Sequence, residues 1–158
     1  MVPVGERLAD LVGTEVIVPE ELHGEFVEKL ITDQIGERRI LLLENLRFDP
    51  GEKAGDPEFA EALASLADVY INDAFGTCHR KHASMYTMVR HFGRNSKAAG
   101  FLLRKEIENL GNLLDRPAKP FVALMGGAKV SDKIGVLHKL LDKVDRVLVG
   151  AAMAYTFL

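Results

Sequence analysis

The sequence predicts an α/β fold built on a doubly wound parallel sheet. Short, continuous apolar runs alternate along the chain with amphipathic stretches of helical periodicity. Continuous apolar runs, rather than strictly alternating ones, are typical of parallel strands that are covered on both faces. Of the 158 residues, 47% are hydrophobic and 27% charged, which excludes disordered and low-complexity architectures.

Four apolar runs predict the strands, and three apolar faces predict the helices between them. The predicted strands are 40–44 (ILLLE), 69–72 (VYIN), 121–125 (FVALM) and 147–150 (VLVG). The helix faces are formed by Phe59, Leu63 and Leu66, by Leu103, Ile107, Leu110 and Leu114, and by Ile134, Leu137 and Leu141.

The best internal boundary is the segment 116–120 (RPAKP), where two prolines end the helix predicted at 101–115. Two predicted strands lie on each side of it, whereas open sheets usually have about 4–6 strands. The sequence on each side of this boundary is therefore predicted to form only part of a domain. The last residues, AYTFL, are typical of the beginning of a helix, which suggests a chain that is cut at both ends.

The charge is unevenly distributed. The net charge of −3 is too small to indicate a polyanionic partner, but residues 1–76 hold 6 Lys or Arg against 17 Asp or Glu. No acidic residue occurs between Asp73 and Glu106, a stretch that contains seven Lys or Arg and three His. This basic stretch has three possible interpretations: a site for a small anion, a nucleic-acid patch, or a solvated basic face without a ligand. Nucleic acid is the weaker functional option because the whole chain is acidic.

Several other classes of protein are disfavoured. The longest apolar run is far shorter than a membrane span, and the N-terminus lacks the basic head and apolar core of a signal peptide. The single cysteine, Cys78, cannot form an internal disulfide, which fits a reducing cytosol.

Ligands of open parallel sheets bind beyond the carboxyl ends of the strands, so the residues that follow each strand are the candidates. Arg47 follows the first predicted strand closely, where a guanidinium could hold a phosphate or carboxylate through two hydrogen bonds. A surface salt bridge with a nearby acid is the alternative interpretation.

The second candidate segment is 73–80 (DAFGTCHR), after the strand 69–72. Arg80 lies there at the start of the basic stretch. A metal site of Cys78, His79 and His82 is an alternative, although no second ligand cluster of suitable spacing occurs. Cys78 as a nucleophile is equally weakly supported, since the sequence shows no base for it.

The third and most informative segment is 126–133 (GGAKVSDK), which leads into a predicted helix. Small residues let a ligand approach the backbone, and free N–H groups at a helix N-terminus attract anions. Lys133 in the first turn would oppose the helix dipole, which a bound phosphate would explain. The segment is not a Walker A loop, and a plain glycine-rich turn remains an alternative. Gly150 and the alanines after it could approach the same ligand or could serve tight packing.

Five segments together resemble the phosphoglycerate kinase family, in the family's order and over essentially the whole chain. These are LLLENLRF (41–48), ADVYINDAFGTCHRKHAS (67–84), AGFLLRKEIENLG (99–111), KPFVALMGGAKVSDKIGVL (119–137) and MAYTFL (153–158). The chain departs from the family at 150–154, where GAAMA replaces the usual GGGMA.

The resemblance implies reversible phosphoryl transfer from 1,3-bisphosphoglycerate to Mg-ADP, giving 3-phosphoglycerate and ATP, by a cytoplasmic, monomeric glycolytic enzyme without nucleic-acid or membrane partners. It implies two Rossmann-like lobes, both incomplete here: 1–100 in the phosphoglycerate lobe, 101–118 as connector helix and 119–158 in the nucleotide lobe. The implied roles are substrate binding by Arg47 and Arg80, catalysis by Lys129, and nucleotide binding by Gly127, Ala128, Lys129, Lys133 and Gly150.

The resemblance also implies that several family elements lie outside this chain: an opening strand, a catalytic arginine, the protein ligand of Mg²⁺ and a glycine-rich catalytic loop. We therefore expect the isolated chain to be inactive. A non-catalytic phosphate- or nucleotide-binding module of the same fold is the alternative.

Overall fold

The computed structural model describes residues 1–34, 39–115, 117–127 and 134–156. The chain divides into two compact units, Met1–Leu103 and Arg104–Leu158. Among the described residues, no helix combines the length and apolar character needed to cross a membrane.

The first unit begins with a helix and a parallel pair of short strands. Helix α1 is Val2–Val12 and ends at Gly13, whose left-handed backbone (φ 67°) suits glycine. Strand β1 (Val16–Ile17) pairs in parallel with β2 (Ile40–Leu41). Between them lie α2 (Glu25–Lys29) and a π-helical turn, Leu30–Gln34.

Two short helices follow, and each begins with the same local signal. Helix α3 is Pro50–Ala54 and α4 is Pro57–Ala64, so both start with proline directly after an aspartate. Asp49 accepts a hydrogen bond from the Gly51 N–H, and Asp56 accepts one from the Phe59 N–H. These carboxylates satisfy donors that a helix N-terminus leaves free.

The core of the first unit forms around α4. Phe59, Ala60 and Leu63 are buried there together with Ala83 from the later part of the unit. The apolar face predicted at Phe59, Leu63 and Leu66 is therefore confirmed as a core face, with Leu66 partly buried at its edge.

A second parallel pair completes the first unit. Strand β3 (Tyr70–Asn72) pairs with β4 (Lys97–Ala99) in the register Tyr70 to Lys97. Short 3₁₀ and π-helical turns connect them. The sequence did not indicate β4, because its residues, Lys-Ala-Ala, do not form an apolar run.

The second unit contains a longer parallel pair. Helix α5 (Phe101–Asp115) begins in the first unit and continues into the second. Strands β5 (Val122–Met125) and β6 (Arg146–Val149) pair in parallel over four residues each, with α6 (Ile134–Leu141) between them. A 3₁₀ helix, Ala151–Thr156, follows β6.

The predicted α/β class with parallel strands is confirmed, but the details differ in three ways. The described strands form three separate two-stranded sheets. The strand predicted over 40–44 is paired only at Ile40–Leu41. The burial predicted for the later strands and for α5 is wrong in part: Leu124, Leu148, Ile107 and Leu110 are exposed. A periodic pattern indicates which face is apolar, and not whether the rest of the fold covers it.

Candidate functional site

Arg47 lies on a short 3₁₀ helix, Leu46–Phe48, a few residues after β2. Asn45 caps this helix, since its side-chain oxygen accepts a hydrogen bond from the Arg47 N–H at 3.1 Å. The Arg47 side chain is exposed and forms no ion pair with any residue that the structure describes. The surface salt bridge considered from the sequence is thus not found among the described residues, which leaves the guanidinium accessible to an anion.

Arg80 lies beyond the end of β3, after the 3₁₀ turn Phe75–Thr77. Its N–H donates to the Thr77 carbonyl at 2.9 Å, which continues the turn. The Thr77 hydroxyl in turn donates to the Ala74 carbonyl at 3.0 Å. The Arg80 side chain is exposed and, within the described ranges, has no ion-pair partner. Backbone turns therefore fix its position while the guanidinium remains accessible.

Other cations of the basic stretch are engaged by the protein itself. The Arg90 guanidinium lies 4.6 Å from the centre of the Tyr86 ring, and the Lys81 ammonium lies 5.8 Å from it. Lys97 donates to the Val89 carbonyl at 3.1 Å. Arg104 hydrogen-bonds to Glu108 one turn along α5, and this bond raises the pKa of the arginine. The Arg80 side chain, in contrast, remains accessible to a ligand.

A cavity of about 520 Å³ in the first unit lies beside both candidate segments. Leu46, next to Arg47, lines it, as do Asn72 and Ala74 at the end of β3. Its remaining lining is mainly apolar. The fold thus brings the loops after β2 and β3 to the same region of the unit, as the parallel-sheet argument predicted.

The carboxyl ends of β5 and β6 carry two glycine turns that lie side by side. The Gly150 N–H donates to the Met125 carbonyl at 2.8 Å. A methyl group placed on Gly126 would meet the Gly150 carbonyl only at 3.9 Å, an ordinary contact distance. Gly127 has φ 136°, a conformation that favours glycine. The turn after β6 therefore lies beside the turn after β5, which is compatible with both interpretations of Gly150.

The other predicted residues of this segment, Ala128, Lys129 and Lys133, lie outside the described residues. Of the alanines in the departure from the family pattern, Ala152 is exposed, and the following Met153 is buried.

The opposite ends of β5 and β6 are joined by an ion pair that the sequence did not reveal. Asp145 accepts a hydrogen bond from the Lys119 ammonium at 2.8 Å and another from the Phe121 N–H. These bonds, that of Lys119 first, hold the pKa of Asp145 below its usual value. The pair fixes the start of β5 against the start of β6, away from the glycine turns.

The alternative metal site is not supported by the geometry. Cys78 is exposed, with its sulfur 3.4 Å from the Ala74 carbonyl oxygen, whereas His82 is buried 3.6 Å from Glu52. In the part of the chain that the structure describes, no three His, Cys, Asp or Glu are grouped to hold a metal ion.

Sequence reasoning missed Asp73 as the residue that caps α5. Its carboxylate accepts a hydrogen bond from the Leu103 N–H at 2.9 Å and so caps the helix from thirty residues away. The sequence held only an indirect sign of this cap: Gly100, the residue before α5, has no side chain that could cap the helix itself.

Comparisons with known proteins agree with these observations. A sequence model of the family described as phosphoglycerate kinase matches residues 1–158. The chain is 54% identical to the phosphoglycerate kinase of Anaeromyxobacter sp. strain K and 51% identical to that of Campylobacter lari, in each case over 156 residues. These alignments cover 99% of this chain and 39% of each relative.

Solved structures give the same result. Phosphoglycerate kinase from Coxiella burnetii superposes with a TM-score of 0.76 at 37% identity, covering 99% of this chain and 38% of the other. The crystal structure from Pyrococcus horikoshii OT3 gives a TM-score of 0.83 at 28% identity, covering 99% and 40%. The chain therefore spans about two fifths of the length of the relatives it matches.

Proposed function

The chain belongs to the phosphoglycerate kinase family, and on that premise we propose that it carries part of the machinery for reversible phosphoryl transfer in glycolysis. The reaction transfers a phosphoryl group from 1,3-bisphosphoglycerate to Mg-ADP and gives 3-phosphoglycerate and ATP. The observation that carries the proposal is the match of the family over residues 1–158. Since the chain covers 39% of its relatives, it supplies only a share of their residues.

Arg47 and Arg80 are proposed to bind the anionic groups of the phosphoglycerate. Both guanidinium groups are exposed, each follows a strand of the first unit, and neither pairs with a described carboxylate. A guanidinium presents parallel N–H donors that match the oxygens of a phosphate or carboxylate. The two guanidinium groups can therefore donate hydrogen bonds to the oxygens of a substrate, because no described carboxylate accepts them.

Gly127, Ala128, Lys133 and Gly150 are proposed to bind the nucleotide, with Lys129 as the catalytic residue that stabilises the transferring phosphoryl group. Support comes from the adjacent glycine turns after β5 and β6. Phosphoryl transfer depends mainly on positioning and on positive charge around the migrating group. We propose that Mg²⁺ enters with ADP or ATP as part of the substrate, its protein ligand lying in the share of the relatives that this chain does not cover.

Residues 1–100 are assigned in this proposal to the phosphoglycerate-binding part, 101–118 to the connector and 119–158 to the nucleotide-binding part. The setting is a cytoplasmic enzyme, monomeric and without nucleic-acid or membrane partners. The 158-residue chain alone is proposed not to complete the transfer, because most of the relatives' length is missing from it. A coupled assay that shows substantial ATP formation by the pure chain would contradict this part.

The binding roles can be tested by calorimetric titration of the folded chain with 3-phosphoglycerate. Replacing the guanidinium in Arg47→Ala or Arg80→Ala removes a charge-assisted pair and should weaken binding by about tenfold or more. Arg7→Ala is the matched control, since Arg7 is exposed on α1 and pairs only loosely with Asp10 at 4.0 Å. Equal affinities for all three variants and the parent would refute the assignment.

A non-catalytic nucleotide-binding module is the second candidate, favoured by the limited coverage of the relatives. It predicts Mg-ADP binding that depends on Lys133 but no phosphoryl transfer, even when the missing parts are supplied as a second polypeptide. Restored activity in that reconstitution would remove it.

A further inference from the structure

The two arginines proposed to bind substrate lie on short irregular segments, not on long helices or strands. Arg47 is on the three-residue helix that leads into α3, and Arg80 lies between a 3₁₀ turn and the π-helical turn Ala83–Thr87. Backbone hydrogen bonds shape each segment internally, as in the bonds from the Phe48 N–H to Asn45 and from the Arg80 N–H to Thr77, but among the described residues none of them joins one segment to the other. The spacing of the two arginines therefore depends on contacts between the segments that involve side chains.

Glu52 of α3 makes that connection. Its side chain is buried, and both carboxylate oxygens contact Ser84: one accepts the Ser84 N–H at 2.9 Å and the other the Ser84 hydroxyl at 2.7 Å. The His82 Nδ1 lies 3.6 Å from the same carboxylate. The Glu52 carboxylate thus binds both the backbone and the side chain of Ser84, which lies four residues after Arg80.

Further contacts join the chain around α3 to the chain that follows Arg80. The Thr87 hydroxyl donates to the Gly55 carbonyl at 2.9 Å. A methyl group on Gly55 would lie 2.7 Å from the Lys81 carbonyl oxygen, so the backbones approach closely. From the other side, the Tyr70 hydroxyl of β3 donates to the Ser84 carbonyl at 3.1 Å, and burial, before any neighbouring charge, raises the pKa of that tyrosine.

Glu52, Ser84 and His82 form a cluster that attaches α3 to the segment after Arg80. The Ser84 hydroxyl donates to the Glu52 carboxylate and not to His82, so the cluster lacks the serine–histidine hydrogen bond that commonly activates a serine nucleophile. Burying a carboxylate is unfavourable unless its oxygens are satisfied, and an apolar side chain would fill the space at lower cost. What the carboxylate adds is a directional, two-point attachment.

We infer that Glu52 is a positioning residue that sets the spacing of Arg47 and Arg80 through Ser84. The inference rests on the proposed function of the two arginines as the anion-binding pair. It predicts that loss of the Glu52–Ser84 attachment weakens substrate binding although neither residue touches the substrate.

The first test is the affinity of the folded 158-residue chain for 3-phosphoglycerate. Ser84→Ala removes one of the two bonds and should weaken binding about fivefold, with a larger loss in Glu52→Ala. Glu52→Gln should recover most of the affinity, because an amide can still accept the Ser84 N–H while its NH₂ donates to the hydroxyl. Ser65→Ala is the matched control, since Ser65 is exposed and bonds only within its own helix end.

A double-mutant cycle separates positioning from a general loss of structure. If Ser84 acts through Arg80, Ser84→Ala should cause no further loss of affinity once Arg80→Ala is present. Independent, additive losses would overturn the inference, as would a Glu52→Ala chain that binds as well as the parent.

A second measurement requires no ligand. A nitroxide on Cys78, the single and exposed cysteine, broadens the NMR signal of the Arg47 Nε–H according to their distance. The broadening should change in Ser84→Ala and persist in Glu52→Gln and Ser65→Ala; the mild Ser84 variant serves if Glu52→Ala does not fold. Unchanged broadening in Ser84→Ala would refute the positioning role.

The two measurements can fail separately. If the parent does not bind 3-phosphoglycerate, or if the arginine variants bind like the parent, the proposed function fails, and the nitroxide measurement still decides whether Glu52 sets the spacing. If the arginines bind substrate but the broadening is insensitive to Ser84, the proposed function stands and the positioning inference falls.

Discussion

The carboxylate of Asp73 accepts a hydrogen bond from the Leu103 N–H, 2.9 Å away in the first turn of α5. Asp73 directly follows β3, so this bond ties the end of a strand to the beginning of the longest described helix. The Gly100 N–H adds a second tie by donating to the Asn72 carbonyl at 2.7 Å. The strand end and the helix start therefore form one local structure.

Gly100→Ala should destabilise the first unit. The new methyl carbon would overlap the Asp73 Cγ and lie 2.6 Å from its Cβ, so the aspartate would have to turn away and release its cap. We expect a loss of about 1–3 kcal/mol in the free energy of unfolding, measured by urea denaturation. Gly111→Ala in the same helix has open space and should be neutral or stabilising by up to about 1 kcal/mol. Equal effects at both positions would contradict the contact.

Gly55→Ala should be more destabilising than Gly13→Ala, although both glycines follow a helix with nearly the same left-handed backbone, φ 68° and 67°. At Gly13 nothing lies within 4 Å of the new methyl, so only backbone strain of about 1–2 kcal/mol is expected. At Gly55 the methyl would also meet the Lys81 carbonyl oxygen at 2.7 Å, adding about 1–3 kcal/mol. Chemical denaturation of both variants gives the difference, and its absence would show that the two backbones are not closely opposed.

Asp145→Asn should make the stability of the second unit less dependent on pH. The hydrogen bonds from Lys119 and the Phe121 N–H lower the pKa of Asp145 in the folded chain below its ordinary value of 3.8. A lowered folded pKa stabilises the fold above the unfolded value, and this contribution is lost as the pH falls through the folded value. The stability advantage of the parent over Asp145→Asn should therefore be present near neutral pH and should shrink progressively as the pH falls below about 4.

The pH prediction can be checked by denaturation of both proteins at neutral and acidic pH. Asp142→Asn removes a charge from the same turn and is the matched control, because the Asp142 side chain is exposed and forms no hydrogen bond or ion pair with a described residue. A parent and an Asp145→Asn variant that lose stability in parallel would argue against the ion pair.

Gly150→Ala should separate folding from nucleotide binding. The new methyl would lie 3.9 Å from the Met125 carbonyl oxygen, an ordinary contact, so the free energy of unfolding should change by less than about 0.5 kcal/mol. If the backbone at this turn contacts nucleotide as proposed, the same methyl should weaken Mg-ADP binding in calorimetry. Unchanged binding in a folded variant would remove Gly150 from the proposed nucleotide site.

The places of the candidate residues in the fold could largely be predicted from the sequence because the signals are local. Arg47 and Arg80 each follow an apolar run closely, and the carboxyl ends of parallel strands are where ligands bind. The glycines at 126–127 and 150 could be placed side by side for the same reason, since both follow predicted strands. The family motifs occur in the same places, so the resemblance and the local reasoning agree.

Burial could not be predicted in the same way. The apolar faces of α4 and α5 are equally clear in the sequence, but Phe59 and Leu63 are buried whereas Ile107 and Leu110 are exposed. Periodicity is a property of one segment, and coverage depends on what else the fold places against it. Strand β4 was missed for a related reason: Lys-Ala-Ala becomes a strand only because β3 lies beside it.

The sequence by itself determined the α/β class, the order of the later strands and helices, and the residue types at each strand end. Only the tertiary structure decided the attachments between distant segments: Glu52 to Ser84, Asp73 to Leu103, and Lys119 to Asp145. Each joins residues 26 to 32 positions apart through one or two hydrogen bonds. Acidic residues are common in proteins, so the sequence around an acid does not indicate which distant donor will bind its carboxylate. That choice is made when packing of the apolar core brings the two backbones together.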